Sequence, residues 1–188
     1  MHVRTKALSG AALALIFVGG ACGSTDDETA SPTTVSSAPA TTGAAAAKEV
    51  AVTGVDYAYE GVPKKVAPGT VVKFTNTSTK EVHEIVALKV KDGENRPMST
   101  LLKLPEAEQE GVAEFQGVAI ALPGKPTLTP RGPVTLAQPG RYLLVCNIKT
   151  DADPAAYEAA MQKPGPPADV PGGPPHWEKG MATEVTVA

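Results

Sequence analysis

Short apolar runs rich in β-branched residues, separated by turn residues, fill the chain from about residue 49 to residue 188. In the segment TVVKFTN, residues 70–76, Val72 and Phe74 fall on one face, while Lys73 and Thr75 fall on the other. This alternation is typical of a half-buried strand. Such runs predict an all-β fold in which two sheets pack face to face, a β-sandwich. The predicted strands cover residues 50–59, 62–66, 70–76, 83–90, 113–120, 134–136, 141–148 and 183–187.

Turn and capping residues support this division. Pro-Gly pairs at 68–69 and 139–140 directly precede predicted strands. Such pairs are typical of turns, because Pro presets φ and Gly accepts a positive φ. The chain contains 18 Gly and 18 Pro, which argues against long helices. One short helix is predicted over residues 154–162, where Asp153 stands at the N-cap and Pro154 at the first helical position.

The N-terminal residues have the pattern of an export signal. Arg4 and Lys6 precede an apolar run over residues 7–18, and small residues then lead to Cys22. The apolar run is too short to span a bilayer permanently. The small residues before Cys22 resemble the lipobox of bacterial lipoproteins, which implies cleavage after residue 21 and lipid on Cys22. An ordinary secretory peptide cleaved nearby is the alternative, and in both cases the protein is exported.

A tether separates this signal from the folded domain. Residues 22–48 are rich in Ser, Thr, Ala and Pro and contain no aromatic residue, so they cannot bury enough apolar surface to fold. The chain therefore divides into a signal segment over 1–21, a linker over 22–48 and one domain over 49–188.

Composition and charge exclude several functions. A formal net charge of -3 argues against nucleic acid as a partner, because phosphate binding needs a basic surface. Three His in the whole chain, of which one lies in the signal segment, cannot supply a three-histidine zinc site or the additional coppers of multicopper enzymes. The chain also lacks a GxSxG elbow and the glycine-rich loops that cradle nucleotides.

The few histidines and cysteines that remain after export define the candidate chemistry. They are His83, His176 and Cys146, together with Cys22 if it carries no lipid. A lone thiol in an oxidising compartment is a liability unless it is protected. A Cys22–Cys146 disulfide, a buried inert thiol and metal ligation would each explain Cys146.

Two imidazoles, one thiolate and one thioether form the ligand set of copper electron-transfer sites, a trigonal plane of two His and one Cys with a weak axial Met. Cys146 ends the run PGRYLLVC, and His176 begins the segment HWEKGM, whose Met181 leads into the last predicted strand. Met98 and Met161 are alternative thioethers.

These segments resemble the plastocyanin and azurin family of cupredoxins. The pattern PGxYxxxC over 139–146, HxxxxM over 176–181 and the closing TEVTV look like the ending of plastocyanin, and VVKFTNTSTKEVHEIV looks like the family's first ligand segment. The resemblance implies a Greek-key β-sandwich with one mononuclear copper ion at one end. It makes His83, Cys146, His176 and Met181 the copper ligands.

The chain departs from the family pattern at two places. The whole segment 147–175, which includes the predicted helix, separates Cys146 from His176, whereas plastocyanin has only a few residues there. Glu84 follows His83 where the family often has Asn. We expect this change either to remove bracing hydrogen bonds or to bring a carboxylate to the metal.

The sequence thus predicts a monomeric one-electron carrier, not an enzyme, anchored outside the cytoplasm by lipid on Cys22 and serving redox proteins at the membrane surface. A copper protein for delivery, storage or sensing is the alternative, and a metal-free interaction module is a third hypothesis. Trp177 is expected either to contribute to an apolar docking surface around an exposed His176 edge or to cover one end of the core.

Overall fold

Nine strands, three α-helices and one 3-10 helix are present in the part of the chain that a computed structural model describes, residues 48–165, 167 and 170–188. The predicted signal segment, Cys22 and the linker up to residue 47 lie outside these residues. The strands are β1 (Glu49–Val55), β2 (Ala58–Glu60), β3 (Lys65–Val66), β4 (Thr70–Asn76), β5 (His83–Val90), β6 (Ala113–Ala121), β7 (Val134–Leu136), β8 (Gly140–Val145) and β9 (Ala182–Val187). The helices are α1 (Met98–Leu101), α2 (Glu106–Val112), α3 (Pro154–Met161) and the 3-10 helix His176–Lys179.

The strands form two sheets, as the alternating pattern predicts. One sheet has four strands in the order β2-β1-β4-β7, and the other has five in the order β3-β9-β8-β5-β6. Each sheet is mixed, because β1 pairs in parallel with β4 and β3 in parallel with β9, while the other pairs are antiparallel. The prediction of an all-β sandwich is therefore confirmed.

The main core lies between the sheets. Val52 and Phe74 from the four-stranded sheet meet Ile85, Tyr142 and Val185 from the five-stranded sheet in one buried cluster. Burying several such side chains contributes roughly 1.5–3 kcal/mol each. This core holds the two sheets in fixed relation and thereby fixes the strand ends that carry the candidate ligands.

The structure differs from the prediction in the boundaries of several elements. The predicted strand 50–59 is two strands, because the chain turns at Tyr57, whose φ is 59°. The helices α1 and α2, which the sequence analysis missed, lie between β5 and β6. The predicted strand 141–148 ends at Val145, one residue before the candidate ligand Cys146.

The predicted helix in the segment between Cys146 and His176 is confirmed. It spans Pro154–Met161, and the Asp153 side chain accepts a hydrogen bond from the Ala156 backbone N–H at 2.7 Å. Across the described part of the chain, none of the helices has the length and apolar character needed to cross a bilayer.

Candidate metal centre

Strand pairing brings the candidate ligands to one end of the five-stranded sheet. His83 begins β5, and Cys146 directly follows β8. β5 and β8 are antiparallel neighbours, so the start of one lies beside the end of the other. β9 pairs with β8 and begins at Ala182, which places Met181 at the same end.

The donor atoms of His83, Cys146 and His176 face one another. The two Nδ1 atoms are 3.1 Å apart, the Cys146 Sγ atom is 3.3 Å from His176 Nδ1, and one donor atom from each of the three residues lies within 4.8 Å of the others. Ligands bound at about 2.0–2.3 Å to one ion are separated by distances of this size. All three side chains are fully buried. The arrangement therefore fits one metal ion held by two nitrogens and one sulfur.

The neutral state of His83 favours a metal ion as the common partner of the two histidine rings. Burial, and then the neighbouring His176, lowers the pKa of His83 to about 4, so the ring is neutral near pH 7. The Nε2 atom of His83 has no hydrogen-bond partner among the described residues. Two neutral rings whose Nδ1 atoms lie 3.1 Å apart can share only one hydrogen, whereas a metal ion would use both lone pairs.

Cys146 is a protonated thiol until a cation replaces its proton. Burial, followed by the charge of Glu84, raises the pKa of Cys146 far above its usual value. The Glu84 backbone N–H lies 3.4 Å from Sγ and is aimed at it. Because thiolate is the ligating form, metal binding would release this proton.

Met181 lies in the same buried cluster as Cys146. Its backbone N–H donates to the His176 carbonyl at 3.0 Å, and its own carbonyl accepts from the Cys146 N–H at 3.1 Å. Met161 is partly buried against this cluster, whereas Met98 packs in a separate cluster. The backbone thus ties Met181 to both neighbouring ligand candidates, and its role as the fourth ligand stays a prediction.

The long segment between Cys146 and His176 is closed at its base. The His176 N–H donates to Ile148 at 2.9 Å, and the Thr150 N–H donates to Pro174 at 3.0 Å. Gly172 permits this approach, since a Cβ atom there would lie 2.7 Å from the Thr150 carbonyl oxygen. The base holds Cys146 and His176 together as a short loop would, so the insertion does not separate the ligands.

Glu84 makes hydrogen bonds that brace the ligand residues, although the sequence analysis expected that the change from Asn could remove such bonds. Its backbone N–H points to Cys146 Sγ, and its Oε1 accepts from the Asn147 N–H at 3.0 Å. Its carbonyl accepts from the Tyr59 hydroxyl. Burial raises the pKa of Glu84 to about 7. The Oε1 atom of the carboxyl group therefore links β5 to the residue after Cys146.

The positions of Trp177 and His176 do not agree with the hypothesis of a docking surface around an exposed His176 edge. Trp177 packs against the cluster that contains Val90, Leu143 and Val145, in agreement with the alternative that it covers one end of a core. His176 is fully buried, so it exposes no imidazole edge to a partner.

Three residues that the sequence analysis missed lie against His176 or against the carboxylate beside it. Glu81 Oε2 lies 3.3 Å from Nε2, although the angle is not that of a hydrogen bond. The Tyr57 ring stands edge-on to His176 with centroids 5.0 Å apart, and the Asp151 N–H donates to the Glu81 carboxylate. Burial lowers the pKa of His176, and the charge of Glu81 opposes that shift. No sequence motif marks these residues, because they come from three separate loops.

Three solved structures are similar to this chain. The reduced auracyanin from the photosynthetic bacterium Roseiflexus castenholzii is 21% identical with a TM-score of 0.42, over 77% of this chain and 99% of that chain. Auracyanin A from Chloroflexus aurantiacus, described as a "blue" copper protein, is 13% identical with a TM-score of 0.38, over 74% and 98% of the two chains. Auracyanin B is 18% identical with a TM-score of 0.33, over 76% and 89%. No family model and no curated protein matches the chain.

Proposed function

We propose that this protein is an exported type 1 copper protein that carries single electrons, with His83, Cys146, His176 and Met181 as ligands. The observation that supports this function most directly is the buried triangle of two Nδ1 atoms and one Sγ atom. A trigonal set of two His and one Cys with a weak axial Met is the ligand set of blue copper electron-transfer sites.

The donor types favour copper over zinc. Structural zinc sites have four strong Cys or His ligands, whereas the cluster of His83, Cys146 and His176 provides three. Thiolate and thioether are soft ligands that suit Cu(I), and imidazole suits both oxidation states. When bound, copper would supply the Cu(II)/Cu(I) couple for one-electron transfer.

The protein would hold this site rigid and dry. The three donor side chains are fully buried, and backbone hydrogen bonds join Cys146 to Met181 and Met181 to His176. A site that cannot relax between oxidation states needs little reorganisation, which favours fast electron transfer.

Absorption spectroscopy of the copper-loaded chain from residue 22 onward tests this function. We expect one copper per chain and an intense visible thiolate-to-Cu(II) band that disappears on one-electron reduction. Cys146→Ser should abolish the band while the fold is retained. Met181→Leu should keep the band and shift the reduction potential, whereas the matched control Met98→Leu should change neither.

Two other results would replace the proposal. Tight Cu(I) binding without the visible band would favour copper delivery or storage. Absence of stoichiometric copper would leave a metal-free interaction module.

The proposed location is the outer face of the cell membrane, with lipid on Cys22 and a tether over residues 23–48. The partners would be redox proteins at that surface. Mass spectrometry of the mature N-terminus would identify the lipid. Cys22→Ala should move the protein from the membrane fraction to the soluble fraction, and retention at the membrane would contradict the anchor.

A further inference from the structure

We propose that Glu81 is a positioning residue of the metal centre, which holds the Nε2 side of His176 so that Nδ1 faces Cys146 and His83. This inference rests on the copper function proposed above. It assigns a role to a carboxylate that is outside the ligand set.

The Glu81 carboxylate is buried and directed at the ring. Only 8% of the residue is exposed, and Oε2 lies 3.3 Å from His176 Nε2. A metal on Nδ1 requires the tautomer that carries hydrogen on Nε2. Metal-bound histidines commonly donate this second N–H to a carboxylate, which fixes the ring and strengthens the ligand. In the metal-free chain this contact does not meet the criteria for a hydrogen bond, and we expect a metal on Nδ1 to align Nε2–H with the carboxylate.

Two further groups orient the carboxylate. The Tyr57 hydroxyl donates to Oε1 at 3.1 Å, and the Asp151 backbone N–H lies 3.3 and 3.2 Å from the two oxygens. The backbone of Glu81 is also held, because its N–H donates to Ser78 Oγ at 3.0 Å and its carbonyl accepts from Asn76 Nδ2 at 2.8 Å. A carboxylate fixed at both its backbone and its oxygens is suited to orienting a ligand.

The two residues that donate hydrogen bonds to the Glu81 carboxylate both have unfavourable backbone conformations. Within residues 48–165, 167 and 170–188, the non-glycine residues with positive φ are Tyr57 at 59° and Asp151 at 56°. Such conformations are unfavourable for residues other than glycine and persist where the surroundings enforce them, often at functional sites. Both residues donate to Glu81. The fold therefore maintains two unfavourable turns whose shared contact is the carboxylate behind His176.

A negative charge behind the ligand should favour Cu(II) over Cu(I). Glu81→Gln keeps the size of the side chain and removes the charge. We expect the Cu(II) affinity to fall about 10- to 100-fold, as is typical when the partner of a metal-bound histidine is removed. The Cu(I) affinity should change less. A tenfold fall in the ratio of the two affinities corresponds to a rise of about 59 mV in the one-electron potential.

Tyr57→Phe separates positioning from a merely structural role. It retains the ring against His176 but removes the hydroxyl that donates to Oε1. The Asp151 N–H still orients the carboxylate, which then keeps more of its charge for His176. The ratio of Cu(II) to Cu(I) affinity should therefore rise and the potential should fall. The two variants are thus expected to shift the potential in opposite directions, whereas general loosening of the site would shift both alike.

The experiment measures Cu(II) and Cu(I) dissociation constants and the reduction potential of the chain from residue 22 onward. It compares the wild type, Glu81→Gln, Tyr57→Phe and the control Glu178→Gln, which removes an exposed charge from the 3-10 helix that carries His176. Thermal unfolding of the metal-free proteins checks that each is folded. Opposite shifts in the first two variants, with none in the control, support the proposal.

Any of four results would overturn it. Glu81→Gln could match the wild type, or it could shift only as far as Glu178→Gln does. A wild type that binds no copper would overturn the proposed function and this inference together, whereas a normal wild type with an unchanged Glu81→Gln overturns the inference alone. If Glu81→Gln does not fold, Tyr57→Phe decides the question, and an unchanged or lower affinity ratio rejects the role of Glu81.

Discussion

Asn76→Ala should destabilise the domain by about 2–4 kcal/mol, because one side chain joins three separate segments. Asn76 Nδ2 donates to the carbonyls of Glu81 and Ala121, each at 2.8 Å, and Oδ1 accepts from the Ser78 N–H at 2.9 Å. Each of the three partner residues is at most 8% exposed. A hydrogen bond contributes about 1 kcal/mol net, so the loss of all three centres on about 3 kcal/mol, in the middle of the stated range.

Asn76→Asp tests the direction of these bonds. The carboxylate keeps the acceptor for Ser78 but loses both donors, and it lies against the carbonyl oxygens of Glu81 and Ala121. At pH 7 this variant should therefore be at least as unstable as Asn76→Ala, although its shape is closer to the wild type. Thr75→Val serves as the control, because Thr75 is exposed and its side chain has one hydrogen bond to the described residues, a long 3.4 Å contact with the Thr53 hydroxyl. Its change should stay within about 0.5 kcal/mol.

Urea unfolding of the metal-free chain measures both effects, with the midpoint reporting stability and the slope checking that the transition stays cooperative. Copper affinity is measured in parallel, because the segment that Asn76 holds carries Glu81 and leads to His83. The reasoning is refuted if Asn76→Asp is as stable as the wild type, or if Asn76→Ala loses less than about 0.5 kcal/mol.

Three further predictions concern the space, charge and metal of the same region. Gly54→Ala should cost about 1–3 kcal/mol and alter the reduction potential, because the new Cβ would lie 3.0 Å from Phe74 Cζ and 3.2 Å from Met181 Cε, both in buried side chains. Voltammetry and urea unfolding check this, and an unchanged potential would argue against Met181 as a ligand. The Glu84 pKa of about 7 lies above its ordinary 4.5, so the folded state binds the proton more tightly and wild-type stability falls as pH rises from 4.5 to 7. Glu84→Gln should remove that fall, and its stability relative to the wild type should grow by about 3 kcal/mol across this range, a gap that denaturation at several pH values would measure. Free copper at about 100 times its dissociation constant should stabilise the domain by about 2.7 kcal/mol, and calorimetry with and without a chelator should show the higher Tm only with metal.

A glutamate braces the ligand residues at the position where the resemblance to cupredoxins leads one to expect an asparagine. The position after His83 carries a carboxyl group, yet its Oε1 accepts from Asn147 and its N–H points to Cys146. A side chain with one acceptor oxygen in the right place is sufficient for that contact. The bracing therefore depends on the geometry of residue 84 and tolerates the change of residue type.

The sequence determined the sandwich and the identity of the candidate ligands. Alternation along a strand is a local property with a period of two residues, so the run from Thr70 to Asn76 could be assigned to β4 without knowledge of its partners. The ligands could be inferred because removal of the predicted signal segment would leave few soft or imidazole donors, and His83, Cys146 and His176 do meet in the structure.

Only the tertiary structure decided how these donors meet and what lies behind them. The distance from Cys146 to His176 along the chain says nothing about the backbone pairing at Ile148 and Thr150 that closes the intervening segment. Glu81 likewise cannot be identified from its neighbours in sequence, because its carboxylate lies directly against His176 and accepts a hydrogen bond from Tyr57, both in other segments of the chain. Such contacts join residues far apart in the chain, and the loops that supply them adopt conformations that packing enforces and local preference does not predict.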